Sequence, residues 1–89
     1  MSYAARNSVQ QMIRSMIAAI VKKPELELQL HDAQPVQEAG IDSMLLIHLV
    51  VRIEAEFNIA FPDEELLQEN FSTVAVITEN VMKKLGIHS

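Results

Sequence analysis

The 89-residue sequence contains no cysteine and no tryptophan, and it has only two glycines, three prolines, one tyrosine and three phenylalanines. Without cysteine the chain forms no disulfide, offers no thiolate to a metal and has no thiol nucleophile of its own. The scarcity of glycine, proline and aromatic residues beside many helix formers favours an all-α fold. At this length we expect a single domain over residues 1–89, with an ordered core from about residue 7 to residue 86.

Basic residues are in the minority, with 7 Lys and Arg against 12 Asp and Glu, which gives a net charge of -5. This balance argues against nucleic acid and against anionic membrane surfaces as partners. No apolar run approaches the length of a membrane span, and the first residues do not resemble a signal peptide. We therefore expect a cytoplasmic protein that does not bind membranes, and we expect it to be a monomer.

Apolar residues at helical spacing predict four helices, of which the third is short. The predicted segments are a first helix from Asn7 or Ser8 to Val21, a second from Ser43 to about Phe57, a short third that starts at Pro62–Glu65 and uses Leu66 and Leu67, and a fourth that is capped by Ser72 or Thr73 and ends at Gly86.

A long connection, residues 24–42, separates the first two helices. Glu25 to Leu30 alternates between polar and apolar residues as an edge strand would. Since no second strand pattern exists for it to pair with, we expect an extended segment that lays some of its leucines on a helical core. Val36 and Ile41 are apolar enough to pin the rest of the connection down. A connection this long is often functional.

The connection ends in the stretch from Ala39 to Met44, where Gly40 allows a turn and Asp42 and Ser43 stand at the start of a helix. Backbone N–H groups at a helix start lack intrahelical partners, and the helix dipole favours negative charge there. A serine hydroxyl at this position is therefore suited to carry a phosphate. The simpler alternative is that Asp42 or Ser43 is only an N-cap.

The second helix has more apolar residues than a single core stripe needs. Its core stripe consists of Leu46, Leu49, Val50, Ile53 and Phe57. Met44, Ile47 and Val51 form a second row, to which Leu45 adds. Either this helix is buried on several sides, or its serine end offers a docking surface.

The sequence offers no convincing catalytic or metal site. His31, His48 and His88 are scattered and have no metal-ligand spacing. Ser43 and His48 are five residues apart, so a helix places them about 140° apart around its axis and they do not form a nucleophile–base pair. We therefore expect a protein that is not an enzyme and that binds no metal.

Several short motifs resemble those of the acyl carrier proteins, in the same order and at the same spacing. They are Gly40–Met44, the helix end Glu54–Phe57, the stretch Ile59–Leu66, and Ser72–Val74. The resemblance covers nearly the whole chain and implies a four-helix bundle with a long first loop and a short third helix. It also implies that Ser43, with Asp42 as part of the motif, is the attachment point of a 4′-phosphopantetheine arm that a phosphopantetheinyl transferase moves from coenzyme A. The terminal thiol of such an arm carries an acyl or aminoacyl group as a thioester.

The resemblance further implies that the second helix is the recognition surface for partner enzymes. We expect this face to consist of Met44, Leu45, Ile47, His48 and Val51. The partners would be the transferase, an acyl- or aminoacyl-loading ligase, and downstream transferases or synthases on separate chains.

Carriers of fatty-acid synthesis typically show acidic residues where this chain has Leu45 and His48. We therefore expect a stand-alone carrier of a specialised pathway of polyketide, nonribosomal peptide or aminoacyl type. The alternative is a small helical protein-interaction domain in which Ser43 is only a helix cap.

Overall fold

A computed structural model describes residues 2–86 of the chain, with side chains from residue 5 onward. The α-helices are α1 (Ser2–Val21), α2 (Leu26–Gln29), α3 (Ser43–Phe57) and α4 (Val74–Leu85). Three 3-10 turns lie between them, at Val36–Ala39, Asp63–Glu65 and Gln68–Phe71. The all-α fold that the sequence predicts is confirmed. His88 and the other residues of 87–89 lie outside the described part of the chain.

The first helix is longer than the sequence indicated. The prediction of a start at Asn7 or Ser8 was wrong, because α1 already begins at Ser2. Helix-forming residues precede Asn7, and the Arg6 guanidinium lies 2.7 Å from the Glu79 carboxylate on α4. The first turns of α1 are thus tied to the last helix of the chain.

The segment after Pro24 was also predicted incorrectly, because it forms the one-turn helix α2 and not an extended stretch. In a helical turn, residues four apart share a face. Leu26 therefore packs against the core and Leu30 is buried, whereas Leu28 between them is 92% exposed. The alternating leucines that resembled a strand therefore reflect the helical spacing of Leu26 and Leu30, with Leu28 on the opposite, exposed side.

The rest of the connection is fixed at both sides by hydrogen bonds. The Arg14 side chain of α1 forms an ion pair with Asp32. The Asp32 carbonyl accepts a hydrogen bond from the Ala75 N–H at 3.0 Å, and the Val36 N–H donates to the Ser72 carbonyl at 2.8 Å. The chain that leads into α3 is therefore attached to both α1 and α4. As the sequence led us to expect, Val36 and Ile41 are buried.

Helix α3 lays one face on the core, where Leu49, Val50 and Ile53 are buried. It ends at Asn58, which adopts the left-handed conformation with φ +54° and donates its N–H to the Glu54 carbonyl. The Glu54 side chain accepts a hydrogen bond from the Phe61 N–H at 2.8 Å, which fixes the chain as it leaves the helix.

The short third helix expected after Pro62 takes the form of two 3-10 turns that are separated by Leu66 and Leu67. Leu67 is extended, with φ -100° and ψ 141°, so the two turns do not merge into one helix. Phe61 and Phe71 are buried and meet edge to face with ring centroids 5.2 Å apart. This aromatic pair anchors the segment to the core.

Helix α4 starts and ends as the sequence predicted. Of the two candidate caps, Thr73 is the one used, because its hydroxyl accepts a hydrogen bond from the Val76 N–H at 3.1 Å. Gly86 ends the helix in the left-handed conformation with φ +75°. Within residues 2–86, no helix combines the length and apolar character needed to cross a membrane.

Candidate functional site

The candidate site is the junction between the 3-10 turn at Val36–Ala39 and the start of α3. Gly40 closes this turn with φ +111° and donates its N–H to the Gln37 carbonyl at 3.1 Å. L-residues rarely adopt such a φ, which explains the glycine. A Cβ at this position would also lie 3.4 Å from Cγ1 of Val21. The close approach to α1 and the positive φ together turn the chain toward α3.

Asp42 is the N-cap of α3, which decides between the two caps that the sequence left open. Its Oδ1 accepts a hydrogen bond from the Leu45 N–H at 2.9 Å, and its backbone is extended. Ser43 is the first helical residue and is exposed. The cap is thus provided by the neighbouring carboxylate, and the Ser43 hydroxyl stays on the surface.

The backbone around Ser43 fits a bound phosphate. The Leu45 N–H is taken by the Asp42 side chain and the Leu46 N–H by the Asp42 carbonyl, whereas the Ser43 and Met44 N–H groups precede the first intrahelical hydrogen bond. These two amides, at the positive end of a 15-residue helix, favour an anion attached at Ser43.

Ser43 lines one cavity, and a second, larger cavity lies next to it. An open crevice of about 360 Å³ is lined by Gln37, Gly40, Ile41, Asp42 and Ser43. A larger cavity of about 630 Å³ extends from there toward the segment 67–72 and shares Gln37, Ile41 and Asp42 with the crevice. An arm attached to Ser43 would thus have a groove in the protein along which to lie.

The face of α3 next to Ser43 is apolar and exposed. Met44, Ile47 and Val51 are 79%, 67% and 56% exposed, so the second apolar row is not buried in this fold. His48 is also exposed. Large exposed apolar patches of this kind mark interaction sites.

Leu45 does not belong to the exposed row, in which the sequence analysis had placed it. It is partly buried and packs against the core. The reason is helical spacing, because Leu45 lies four residues before Leu49 and eight before Ile53, both of which are fully buried.

Sequence reasoning assigned Leu66 and Leu67 to a third helix and so missed that Leu66 belongs to this surface. The two leucines are 44% and 49% exposed. Leu66 lines a small apolar groove of about 160 Å³ together with Ile47 and Val51 of α3. A signal was present, since two adjacent residues of a helix do not both face the same core.

The exposed positions in the first ten residues of α3 carry no acidic side chain. His48 and Arg52 are the titratable residues that are exposed between Ser43 and Arg52, and the next exposed acid of the helix is Glu56. A docking face of this composition depends on apolar contact more than on attraction to a basic partner. Within residues 2–86, no cluster of His, Cys, Asp or Glu has an arrangement suited to a metal ion.

A small all-α fold with an exposed serine at a helix start, free backbone amides at that helix end and an adjacent apolar face is the arrangement expected of a carrier domain. Residues 11–81 match the family described as "Phosphopantetheine attachment site". The chain belongs to this family of carrier proteins. Phosphopantetheine is therefore the cofactor of this kind of domain.

Similar proteins support the same assignment. The chain is 33% identical to the acyl carrier protein homolog of Mycoplasma genitalium, over 80% of this chain and 89% of that protein. It is 31% identical to the acyl carrier protein of Thermotoga maritima, over 93% of this chain and 99% of that protein. It is 25% identical to aminoacyl carrier protein 2 of Bradyrhizobium diazoefficiens, over 89% of each chain. No solved structure gave a significant match.

Proposed function

We propose that Ser43 is the residue that carries the 4′-phosphopantetheine arm. The observation that carries this proposal is the division of roles at the start of α3, where Asp42 caps the helix and leaves the Ser43 hydroxyl exposed. A serine that capped the helix itself would have its oxygen turned back toward the N–H groups. At Ser43 the oxygen is instead accessible to an incoming enzyme.

The attachment step needs no catalytic group from this chain. In the transfer, the Ser43 oxygen forms a bond to the phosphorus of coenzyme A that bears the pantetheine. The pyrophosphate P–O bond breaks, adenosine 3′,5′-bisphosphate leaves with that oxygen, and the Ser43 hydroxyl proton is lost. A separate phosphopantetheinyl transferase supplies the catalysis. The product is a phosphodiester at the N-terminus of α3, where the Ser43 and Met44 N–H groups and the helix dipole stabilise its negative charge.

The bound arm would supply the thiol that this cysteine-free chain lacks. The protein then holds acyl or aminoacyl groups as thioesters and presents them to partner enzymes, without catalysing a reaction itself. Tethering raises the effective concentration of the cargo at each partner's active site.

The docking face for these partners is the exposed row of Met44, Ile47 and Val51, with His48 at its side and Leu66 across the apolar groove. Its partners are the transferase, an acyl- or aminoacyl-loading ligase, and downstream transferases or synthases. We include Leu66 and leave Leu45 at the margin of the face, because Leu45 packs against the core.

The cargo is that of a specialised pathway of polyketide, nonribosomal peptide or aminoacyl type. The composition of α3 supports this choice, because its exposed residues before Glu56 include no acid that would attract a basic partner. The likeness to a protein named aminoacyl carrier protein 2 supports the aminoacyl option.

Intact mass spectrometry tests the attachment site. The protein is incubated with coenzyme A and a broad-specificity phosphopantetheinyl transferase, beside Ser43→Ala and, as a matched control, Ser72→Ala, which changes a partly buried serine elsewhere. We expect one added phosphopantetheine in the wild type and in Ser72→Ala, and none in Ser43→Ala. Addition to Ser43→Ala would overturn the assignment of Ser43. No addition to a folded wild-type protein would favour the alternative of a helical interaction domain.

A further inference from the structure

The crevice at Ser43 and the larger cavity beyond it are neighbours that share the lining residues Gln37, Ile41 and Asp42. We refer to these two adjoining cavities together as the track. The larger cavity has about 630 Å³, which lies within the range of about 300–1,000 Å³ that is typical of small-molecule sites.

The walls of this cavity differ in polarity between its floor and its rim. Its floor consists of Val36, Ile41 and Phe71, each at most 3% exposed. Its rim includes the exposed side chains of Gln68 and Glu69. A ligand with a short apolar body and a polar end is therefore matched better than a long hydrocarbon chain.

The ionisable residues that line the track all have the same sign. They are Asp42 and Glu69, and no Lys, Arg or His of the described chain lines either cavity. Asp42 lies beside Ser43 and lines both cavities, and Glu69 lines the larger cavity. The side-chain charges that line the track are thus all negative, in a protein whose net charge is already -5. Such a field attracts an ammonium group and repels a carboxylate.

We propose that this track binds the cargo end of the arm and selects a thioester that carries an ammonium group, that is, an aminoacyl group, over one that carries a carboxylate. The inference rests on attachment of the arm at Ser43. The inference goes beyond the attachment site because it assigns Glu69 as a residue that determines the class of cargo. A neutral short acyl group should bind with intermediate affinity, because it packs on the apolar floor but is neither attracted nor repelled by the charge at the rim.

The experiment compares three cargoes of similar length on the same protein. Coenzyme A thioesters of β-alanine, butyrate and succinate supply an ammonium, a neutral and a carboxylate end, and one transferase loads each of them onto Ser43. Intact mass first establishes that each arm is attached. Amide chemical shifts of Gln37, Gln68 and Phe71, in ¹⁵N-labelled protein, then report whether the cargo lies in the cavity.

The variants are Glu69→Gln and, as a matched control, Glu64→Gln, an exposed acid that lines neither cavity. For the wild type we expect the largest shifts with the β-alanyl group, smaller ones with butyryl and the smallest with succinyl. In Glu69→Gln the ratio of bound to free β-alanyl group should fall about two- to fivefold, as for the loss of one exposed ion pair. Glu64→Gln should leave it unchanged, and butyryl should be insensitive to both changes.

Hydrolysis of the thioesters gives an independent reading of the same equilibrium. A cargo in the cavity is shielded from water, so Glu69→Gln should accelerate hydrolysis of the β-alanyl thioester and leave that of the butyryl thioester unchanged. Equal shifts for all three cargoes, larger shifts for butyryl, or no effect of Glu69→Gln would overturn the proposal while leaving attachment at Ser43 intact. Failure of the mass to increase would overturn the attachment site and the cargo proposal together.

Discussion

Gly40 offers the sharpest test of how the fold positions the candidate site. Its φ of +111° lies in a region that side-chain-bearing residues rarely adopt, and the turn it closes leads directly into Asp42 and Ser43. We expect Gly40→Ala to lower the free energy of unfolding by about 1–3 kcal/mol, the usual cost of such a strained backbone. For a domain of this size, each kcal/mol corresponds to a fall in Tm of about 4–8 °C.

The chain supplies its own control in Gly86, which has φ +75° and where an added Cβ would meet nothing within 4 Å. Both substitutions reduce the entropy of the unfolded chain equally, so the difference between them reports the native-state cost alone. Because φ at Gly86 is nearer the left-handed helical region that alanine tolerates, Gly40→Ala should be the more destabilising. Urea denaturation followed by circular dichroism measures both.

A second comparison separates backbone strain from crowding at Gly40. An added Cβ would lie 3.4 Å from Cγ1 of Val21, a distance at the edge of ordinary contact, so most of the cost should come from φ. In a Val21→Ala background, Gly40→Ala should therefore cost nearly as much as in the wild type. The argument that backbone strain dominates would be refuted if Val21→Ala removed much of the stability cost of Gly40→Ala. It would also be refuted if Gly40→Ala cost less stability than Gly86→Ala.

Three further changes test other parts of the structure. Thr78→Val should raise the free energy of unfolding by about 1 kcal/mol in urea denaturation, because the Thr78 hydroxyl is fully buried and has no hydrogen-bond partner within the described residues; a loss of stability would contradict this. Asp42→Ala should lower the free energy of unfolding by about 1 kcal/mol because the helix loses its cap, whereas Asp42→Asn should retain most of the stability. Equal losses of stability in the two variants would assign the effect to the charge and not to the hydrogen bond. Ile47→Ala should change the free energy of unfolding by less than about 0.5 kcal/mol but lower kcat/KM for modification by the transferase. Leu28→Ala, a change at an exposed leucine elsewhere, should not affect modification. Equal effects of the two variants on kcat/KM would contradict the assignment of the docking face to α3.

The sequence was most informative where helical periodicity and capping residues agree. Helix α3 begins at Ser43 and ends at Phe57 as predicted, since an Asp–Ser start and an apolar stripe both pointed to it. The end of α4 at Gly86 follows in the same way from a glycine in the left-handed conformation. In these cases the local signal is strong enough that tertiary contacts only reinforce it.

The prediction of secondary structure failed where the same residues fitted both the strand periodicity and the helical periodicity. Leucines at 26, 28 and 30 alternate as in a strand, but Leu26 and Leu30 also have the helical spacing of four, and packing against the core selected the helical option. The start of α1 was missed for a different reason, since the contact between Arg6 and Glu79 joins residues far apart in sequence. Local patterns do not contain such contacts.

The assignment of the cap depended on geometry that no local pattern provides. Asp42 and Ser43 are both residues that cap helices, and either would have made a stable start. The backbone conformation before them decides the matter, because Gly40 turns the chain so that Asp42 is extended and accepts the Leu45 N–H. The same turn is held by buried Ile41 and by the hydrogen bond between the Val36 N–H and Ser72. The accessibility of the Ser43 hydroxyl is thus a property of the anchored connection, and a serine at the start of a helix without it would more often serve only as a cap.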